Sequence, residues 1–216
     1  MSLIISIETS TNICSVALHN MGKLLYIKSL ISINSHFEKI FLTINYILKI
    51  TSYKKKKISA IAVSKGPGSY TGLKIGLSCA KSFCYILKIP LIMVNTLKAM
   101  ALNVNKYNIK KFLLCPVIDA KKTYIYYILL DPQLNKLEKT NKKIIYENSF
   151  NSWLKKNKII FFGNGFKKYI NILSKNKNIY FINNIFPSAN NIGVLAYKKF
   201  KENKFKKLSN SEPFYL

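Results

Sequence analysis

Lys65-Gly66-Pro67-Gly68-Ser69-Tyr70-Thr71-Gly72-Leu73-Lys74-Ile75-Gly76 is the stretch on which the reading of this chain turns. A short apolar run, 58–63, precedes it and reads as a buried strand. A long apolar segment, 73–87, follows it and reads as a helix. Pro67 fixes its own φ, and Gly66 and Gly68 supply backbone angles closed to other residues, so the join is a tight turn. Ser69 or Thr71 caps the helix. Inside it, Gly72, Gly76, Ala80 and Cys84 recur every four residues and form one stripe of small side chains. A helical glycine costs about 1 kcal/mol against alanine, so the stripe implies something packed very close to that backbone. Strand, glycine turn and helix also cradle phosphate in many proteins. The spacing here is neither G-x-x-x-x-G-K-[ST] nor G-x-G-x-x-G, and a packing and interface element is the expectation.

Around this stretch the chain reads as alternating strands and helices. Ile4 to Ile7 is a short strand ending at Glu8, and Thr9-Ser10-Thr11-Asn12 is a polar turn. Two further strands, 13–18 and 24–30, complete a meander. Ser35 with Glu38 makes a capping box for a helix on which Phe37, Ile40, Phe41, Ile44, Ile47 and Leu48 repeat at helical spacing. Leu42, Tyr46 and Ile50 widen its apolar face, so more than one side should be covered. Strand 91–94 and a third helix through Val104 follow. The polar stretch 103–111 is the expected boundary, giving domains 1–104 and 105–216. The second half repeats the pattern. Strand 112–118 ends at Asp119, a hairpin leads to 124–130, 136–143 reads as a charged loop, and 144–146 as a short strand. Strand 159–162 ends in Gly163-Asn164-Gly165 before a helix over 166–173, and the last helix runs from Pro187 to about Lys201.

Composition narrows the function classes. At 216 residues and 49% hydrophobic, the chain can bury one or two cores. Its longest unbroken apolar run, 124–130, is far short of a membrane span, and the N-terminal residues lack the basic and apolar regions of a signal peptide. Cys14, Cys79, Cys84 and Cys115 show no C-x-x-C pairing, which fits core fillers in a reducing cytoplasm. The formal charge of +27 invites a nucleic-acid reading, but all 35 basic residues are lysine. Specific readers of nucleic acid use arginine forks and stacked aromatics. A lysine coat binds RNA weakly and with steep salt dependence.

G-P-G-S-Y-T-G-L-K-I-G resembles the signature of the bacterial threonylcarbamoyladenosine biosynthesis family TsaB, the non-catalytic relatives of the tRNA-modifying TsaD. Ile7-Glu8-Thr9-Ser10-Thr11, Ser35-His36, Ile89-Pro90, Ile118-Asp119-Ala120-Lys121 and Glu212-Pro213-Phe214-Tyr215-Leu216 carry the resemblance along the chain. It implies an α/β actin-like ATPase (ribonuclease-H-like) fold, two duplicated domains of mixed sheet flanked by helices. It implies an accessory subunit, with no catalytic residue or metal of its own, that binds and activates TsaD for threonylcarbamoylation of the adenosine next to the anticodon. The expected partners are TsaD in a heterodimer, the ATPase TsaE, and tRNA through the complex; for the chain alone, homodimer and monomer both stay open. ATP, ADP and metal would belong to the partner subunits. Phe37, Ile40, Phe41 and Ile44 on the first helix, with Gly72, Gly76, Ala80 and Phe83 on the second, are expected to form or support the docking face. Glu8, Thr9, Ser10, Asp119, Gly163 and Gly165 are candidates for a vestigial nucleotide cleft. In kinases of the actin-like superfamily the acid at the first position is usually aspartate, and the turn here lacks a glycine for close approach to phosphate. His19 and His36 have no metal-ligand spacing. The rival readings are an ATP-binding kinase or hydrolase on the same fold and a lysine-rich tRNA-binding protein.

Overall fold

A computed structural model describes residues 2–31, 36–107 and 110–216, leaving aside the side chains of His36 and Phe37. The chain divides into two compact units. The first comprises 1–99 and 187–215, the second 100–186 and Leu216.

The first unit is built on a five-stranded sheet of order β3-β2-β1-β4-β5. Its strands are β1 (Leu3–Glu8), β2 (Ile13–Asn20), β3 (Lys23–Ile31), β4 (Ile58–Gly66) and β5 (Leu91–Asn95). β1, β2 and β3 pair antiparallel; β4 pairs parallel with both β1 and β5. Every residue of β1 is buried, as expected for a strand covered on both faces. The two faces differ in chemistry. Leu3, Ile5 and Ile7 join Val16, Leu18, Ile61, Val63, Leu91 and Met93 in a large apolar core. The alternate residues Ile4, Ser6 and Glu8 pair with His19, Ala17 and Ser15 of β2, giving a small and polar face. Large residues on one side and small ones on the other follow from the two-residue period of a strand.

Two helices close the apolar face. α1 (His36–Ile50) places Ile40, Ile44, Ile47 and Leu48 in the core, each contributing about 1.5–3 kcal/mol of hydrophobic stabilisation. α2 (Tyr70–Leu87) is capped by Ser69, whose side chain accepts from the Gly72 N–H. It ends at a left-handed Lys88, with the Ile89 N–H donating to the Cys84 carbonyl and Pro90 barring continuation. Phe41 and Phe83 stack between α1 and α2 with centroids 4.9 Å apart. The capping box at Ser35 lies outside the described residues. α3 (Thr96–Asn105) spans the division between the units.

The second unit repeats the scheme. β6 (Leu113–Asp119), β7 (Ile125–Leu130), β8 (Lys136–Lys143), β9 (Ile159–Gly163) and β10 (Ile179–Ile182) form a sheet of order β10-β9-β6-β7-β8. Reading β6 to β10 against β1 to β5 gives the same order and the same strand directions. Gly66 and Gly163 end equivalent strands, and both have φ +107°. The core is aromatic: Phe150 meets Phe161 and Tyr127 edge-on at 5.2 and 5.7 Å. Short α4 (Asn151–Leu154) and α5 (Ile170–Leu173) lie in this unit. The helix expected over 166–173 is a 3-10 segment, Gly165–Tyr169, continued by α5.

Two expectations are corrected. The stretch 136–143, read as a charged loop, is β8, and 144–146 carries no strand. Four lysines hid an alternation in which half-buried Glu138 accepts from Tyr127 Oη at 2.8 Å and from Trp153 Nε1 at 2.5 Å. The division at 104/105 also differs on its C-terminal side. The last helix, α6 (Ala189–Lys201), packs on β1, β2, β4 and β5 and so belongs to the first unit. Its Ala189, Gly193 and Ala196 are small because the polar sheet face beneath them lets a helix come close.

Candidate functional site

The first unit gathers its unusual residues where β1 ends. Glu8 is fully buried; its Oε1 accepts from the Ser10 N–H at 2.7 Å, and its Oε2 has no hydrogen-bond partner among the described residues. Burial pushes the Glu8 carboxyl above its ordinary range, and the neighbouring polar groups of Ser10, Ser64 and Thr9 only partly oppose it. Ser6 Oγ, Thr9 Oγ1 and Ser10 Oγ are likewise buried without a partner.

The glycine turn seats this polar turn. The Ser69 N–H donates to the Ser10 carbonyl at 2.7 Å. A Cβ at Gly68 would stand 2.5 Å from the Ser10 carbonyl oxygen, one at Gly72 2.1 Å from the Thr9 carbonyl oxygen, and one at Gly76 2.2 Å from Thr9 Oγ1. What lies close to the small-residue stripe is therefore Thr9 of the same chain. Gly66 is covered in the same way. A Cβ there would meet the Phe214 carbonyl at 2.8 Å, while the Phe214 N–H donates to the Lys65 carbonyl at 2.8 Å and Tyr215 packs on Tyr70 at 4.8 Å. The two most recognisable sequence blocks, far apart in the chain, are thus one packing unit.

Of the residues expected to form or support the docking face, those described lie on its supporting, inner side. Ile40, Ile44 and Ala80 have no exposed surface, Phe83 is buried on half-buried Phe41, and Gly72 and Gly76 are pressed on Thr9. These residues support the helix pair from inside; the side chain of Phe37 lies outside the described residues. The apolar side chains α1 and α2 leave exposed are Leu42, Tyr46, Ile50, Tyr70, Tyr85 and Ile86.

The nucleotide reading fares no better in the first unit. A phosphate needs open backbone N–H groups and room for close approach. Thr9 fills the space above the α2 glycines, and Glu8 is sealed. The residues present do not fit a nucleotide phosphate there. In the second unit, Asp119, Gly163 and Gly165 do come together. A Cβ at Gly163 would stand 2.1 Å from the Val117 carbonyl oxygen, and the Asp119 N–H donates to Asn164 Oδ1 at 3.0 Å. Asp119 Oδ1 accepts from the Lys121 N–H at 2.7 Å and pairs with Lys168 Nζ at 2.6 Å.

A second polar cluster escaped the sequence reading. His19 is buried on the small sheet face, with Nε2 3.2 Å from Asn190 Oδ1 of α6. A Cβ at Gly193 would lie 2.1 Å from its ring. Burial lowers the affinity of this imidazole for a proton. Ser15 Oγ accepts from the Ala189 N–H at 2.9 Å, holding the first turn of α6. The signal was present: Ser6, Ser15, Ala17, Ala60, Ala62 and Ser64 alternate with large aliphatics and mark a face made for a close helix. The thiols are inert, with burial pushing Cys79 and Cys84 up to about 12. Among the described residues no three His, Cys, Asp or Glu side chains converge as metal ligands, and no helix is long and apolar enough to cross a membrane.

Comparison with known proteins agrees with this picture. A model of the family TsaD, tRNA N6-adenosine threonylcarbamoyltransferase, matches residues 30–214. The tRNA threonylcarbamoyladenosine biosynthesis protein TsaB of Buchnera aphidicola from Acyrthosiphon pisum is 32% identical, over 96% of this chain and 94% of its own length. The chain belongs to the TsaB family. TsaB of Escherichia coli is 33% identical over 57% of this chain and 53% of its own length. A Pseudomonas aeruginosa protein described as similar to the peptidase YeaZ superposes with a TM-score of 0.88 at 20% identity, each chain covered completely. The ADPNP-bound activator of 2-hydroxyisocaproyl-CoA dehydratase from Clostridium difficile reaches 0.53 at 9% identity, covering 94% of this chain and 97% of its own. The fold is the actin-like one, in two duplicated units.

Proposed function

We propose that this chain is the accessory, non-catalytic subunit of the bacterial tRNA threonylcarbamoyl-transferase. In this reading it acts in the cytoplasm, docks to the TsaD-type catalytic subunit and activates it, while ATP and metal are carried by the TsaD and TsaE partners. The observation that carries the reading is the state of the turn at Glu8. The place where an actin-like enzyme opens a loop to its nucleotide is packed shut by Thr9 on Gly72 and Gly76. Family membership supports a role in threonylcarbamoyladenosine biosynthesis. A buried site with no access does not support turnover by this chain.

The docking face follows from what the core does not use. Leu42 is 67% exposed, Tyr85 79% and Ile86 71%. Apolar side chains this open on neighbouring helices are suited to a protein partner. Light scattering after size-exclusion chromatography, on the chain alone and mixed with the TsaD relative from the same genome, tests the reading. A one-to-one complex that restores threonylcarbamoyl transfer, when neither protein suffices, is the expected result. Failure to associate, with nucleotide and TsaE present, overturns it.

A further inference from the structure

The lysines of this chain are not all alike. At the tip of the β6–β7 hairpin, Lys121 and Lys122 have φ of +64° and +46°. Left-handed backbone favours glycine and, after it, asparagine. Lys88 and Lys111 are left-handed as well, but among the described residues only at 121–122 do two successive lysines take this conformation. The tip is held rather than loose. Lys168 Nζ, from the segment after β9, donates to Asp119 Oδ1 at 2.6 Å and to the Lys122 carbonyl at 2.5 Å. Tyr169 Oη donates to the Thr123 carbonyl. Beside the tip, Lys142 Nζ stands 4.8 Å from the ring of Tyr124, which is 38% exposed. Lys121, Lys122, Lys167 and Lys168 are exposed. The acid at the centre of this group, Asp119, is already paired with Lys168.

We propose that the Lys121–Lys122 tip and the Lys167–Lys168 segment form a phosphate-binding platform on which this chain itself holds the RNA backbone of tRNA. The proposal rests on the reading above that tRNA is the substrate of the complex. A lysine is a compact point charge without the bidentate fork of arginine. The platform therefore positions phosphates and does not read bases. The backbone that carries Lys121 and Lys122 is held by two connections between the loops, through Lys168 and Tyr169, so less backbone freedom is lost on binding than at a lysine on a mobile loop. Exposed Tyr124 adds a ring on which an unpaired base can stack.

The test uses the full chain and a fluorescently labelled, unmodified tRNA transcript, with anisotropy read between 50 and 300 mM KCl. A platform variant combines Lys121→Glu, Lys122→Glu and Lys167→Glu. A control combines Lys54→Glu, Lys55→Glu and Lys56→Glu on the exposed lysine run before β4. Lys168 is left alone because it holds the loops together. The platform variant is expected to lose about tenfold or more in affinity, and its salt slope to fall by about two to three, while the control loses less than about threefold. Lys121→Asn with Lys122→Asn suits the left-handed backbone and keeps the comparison valid if charge reversal harms folding; it is expected to weaken binding in the same direction. Equal losses in platform and control overturn the proposal in favour of a diffuse lysine coat. Wild-type binding that vanishes by 150 mM KCl overturns it too, as does polyglutamate competing as well as tRNA, which would mean an acidic protein partner. Association with the TsaD relative is measured on the same variants. Intact association with lost tRNA binding supports the platform, whereas absent association with tRNA still held there overturns the subunit reading alone.

Discussion

Thr9 touches two glycines with two different atoms, and that difference can be measured. At Gly72 an added methyl meets the Thr9 carbonyl oxygen, and at Gly76 it meets the Thr9 hydroxyl. Gly72→Ala and Gly76→Ala should each destabilise by about 1–3 kcal/mol through overpacking, after allowing for the better helix propensity of alanine. Thr9→Ala should recover most of the loss at Gly76 and little at Gly72, because it removes a side chain and leaves the carbonyl in place. Urea denaturation of the three single variants and of the two doubles with Thr9→Ala gives the answer. The small-residue stripe was legible in the sequence, but its partner was not. Helical spacing reveals a close approach without saying what approaches, and an intramolecular threonine leaves the same trace as a docking subunit.

Two buried titratable groups, on the same sheet face, give opposite pH dependence. The Glu8 pKa is raised in the folded state, so its contribution is fully present below the unfolded value near 4.5 and is lost as pH rises through the folded value. His19 is depressed, so stability falls as pH drops below its ordinary 6.5 toward the folded value. Between about 4.5 and 6.5 the two effects therefore oppose each other. Glu8→Gln should remove the decline that sets in as pH rises above about 4.5, up to about 1.4 kcal/mol per pH unit between the two pKa values. Urea melts from pH 4.5 to 8 check this; a decline unchanged in Glu8→Gln would assign it to another group.

Among the elements, α1 and α2 carry an inner row that folds and an exposed outer set, of which Tyr46 and Tyr70 still pack on Tyr26 and Tyr215 while Leu42, Ile50, Tyr85 and Ile86 stand open. Leu42→Glu and Ile86→Glu should alter stability by no more than about 0.5 kcal/mol. If the outer row docks the catalytic partner, each should weaken association by about tenfold or more, read by titration calorimetry. A destabilised fold would contradict the exposure of these side chains, and unchanged affinity would move the interface elsewhere. The helices themselves were plain in the sequence, since Ile40, Ile44, Ile47 and Leu48 recur at helical spacing. Which of their apolar residues face outward was not, because Leu42, Tyr46 and Ile50 look no different in composition from their buried neighbours. β8 was missed for the converse reason. Lysine is disfavoured in strands, and only the partners of Glu138 disclose that its row faces inward.

For the whole molecule, duplication was legible and chain connectivity was not. The repeated order of elements announced two like halves. Nothing local in 187–215 says that it returns to the first sheet, because Ser188, Gly193 and Ala196 acquire their meaning only against Ser15 and His19. A chain truncated after Phe186 should leave Ser6, Glu8, Ser15 and His19 without their cover. It should lose the cooperative unfolding transition of the first unit, and a separately supplied 187–216 peptide should restore it. Circular dichroism melts with and without the peptide decide the matter.

The seat of Phe214 and Tyr215 on the Lys65–Tyr70 turn bears on how the protein is made. A ribosome that has released residues 1–99 has delivered five strands and two helices of the first unit but neither the helix for its second face nor the segment that closes its turn. The residues of the second unit must emerge in between, so that unit can finish folding while the first still waits. Nascent chains arrested before 187–215 present an uncovered sheet to chaperones and proteases. A frameshift anywhere upstream of that point therefore leaves the first unit incomplete, even where the second has already folded.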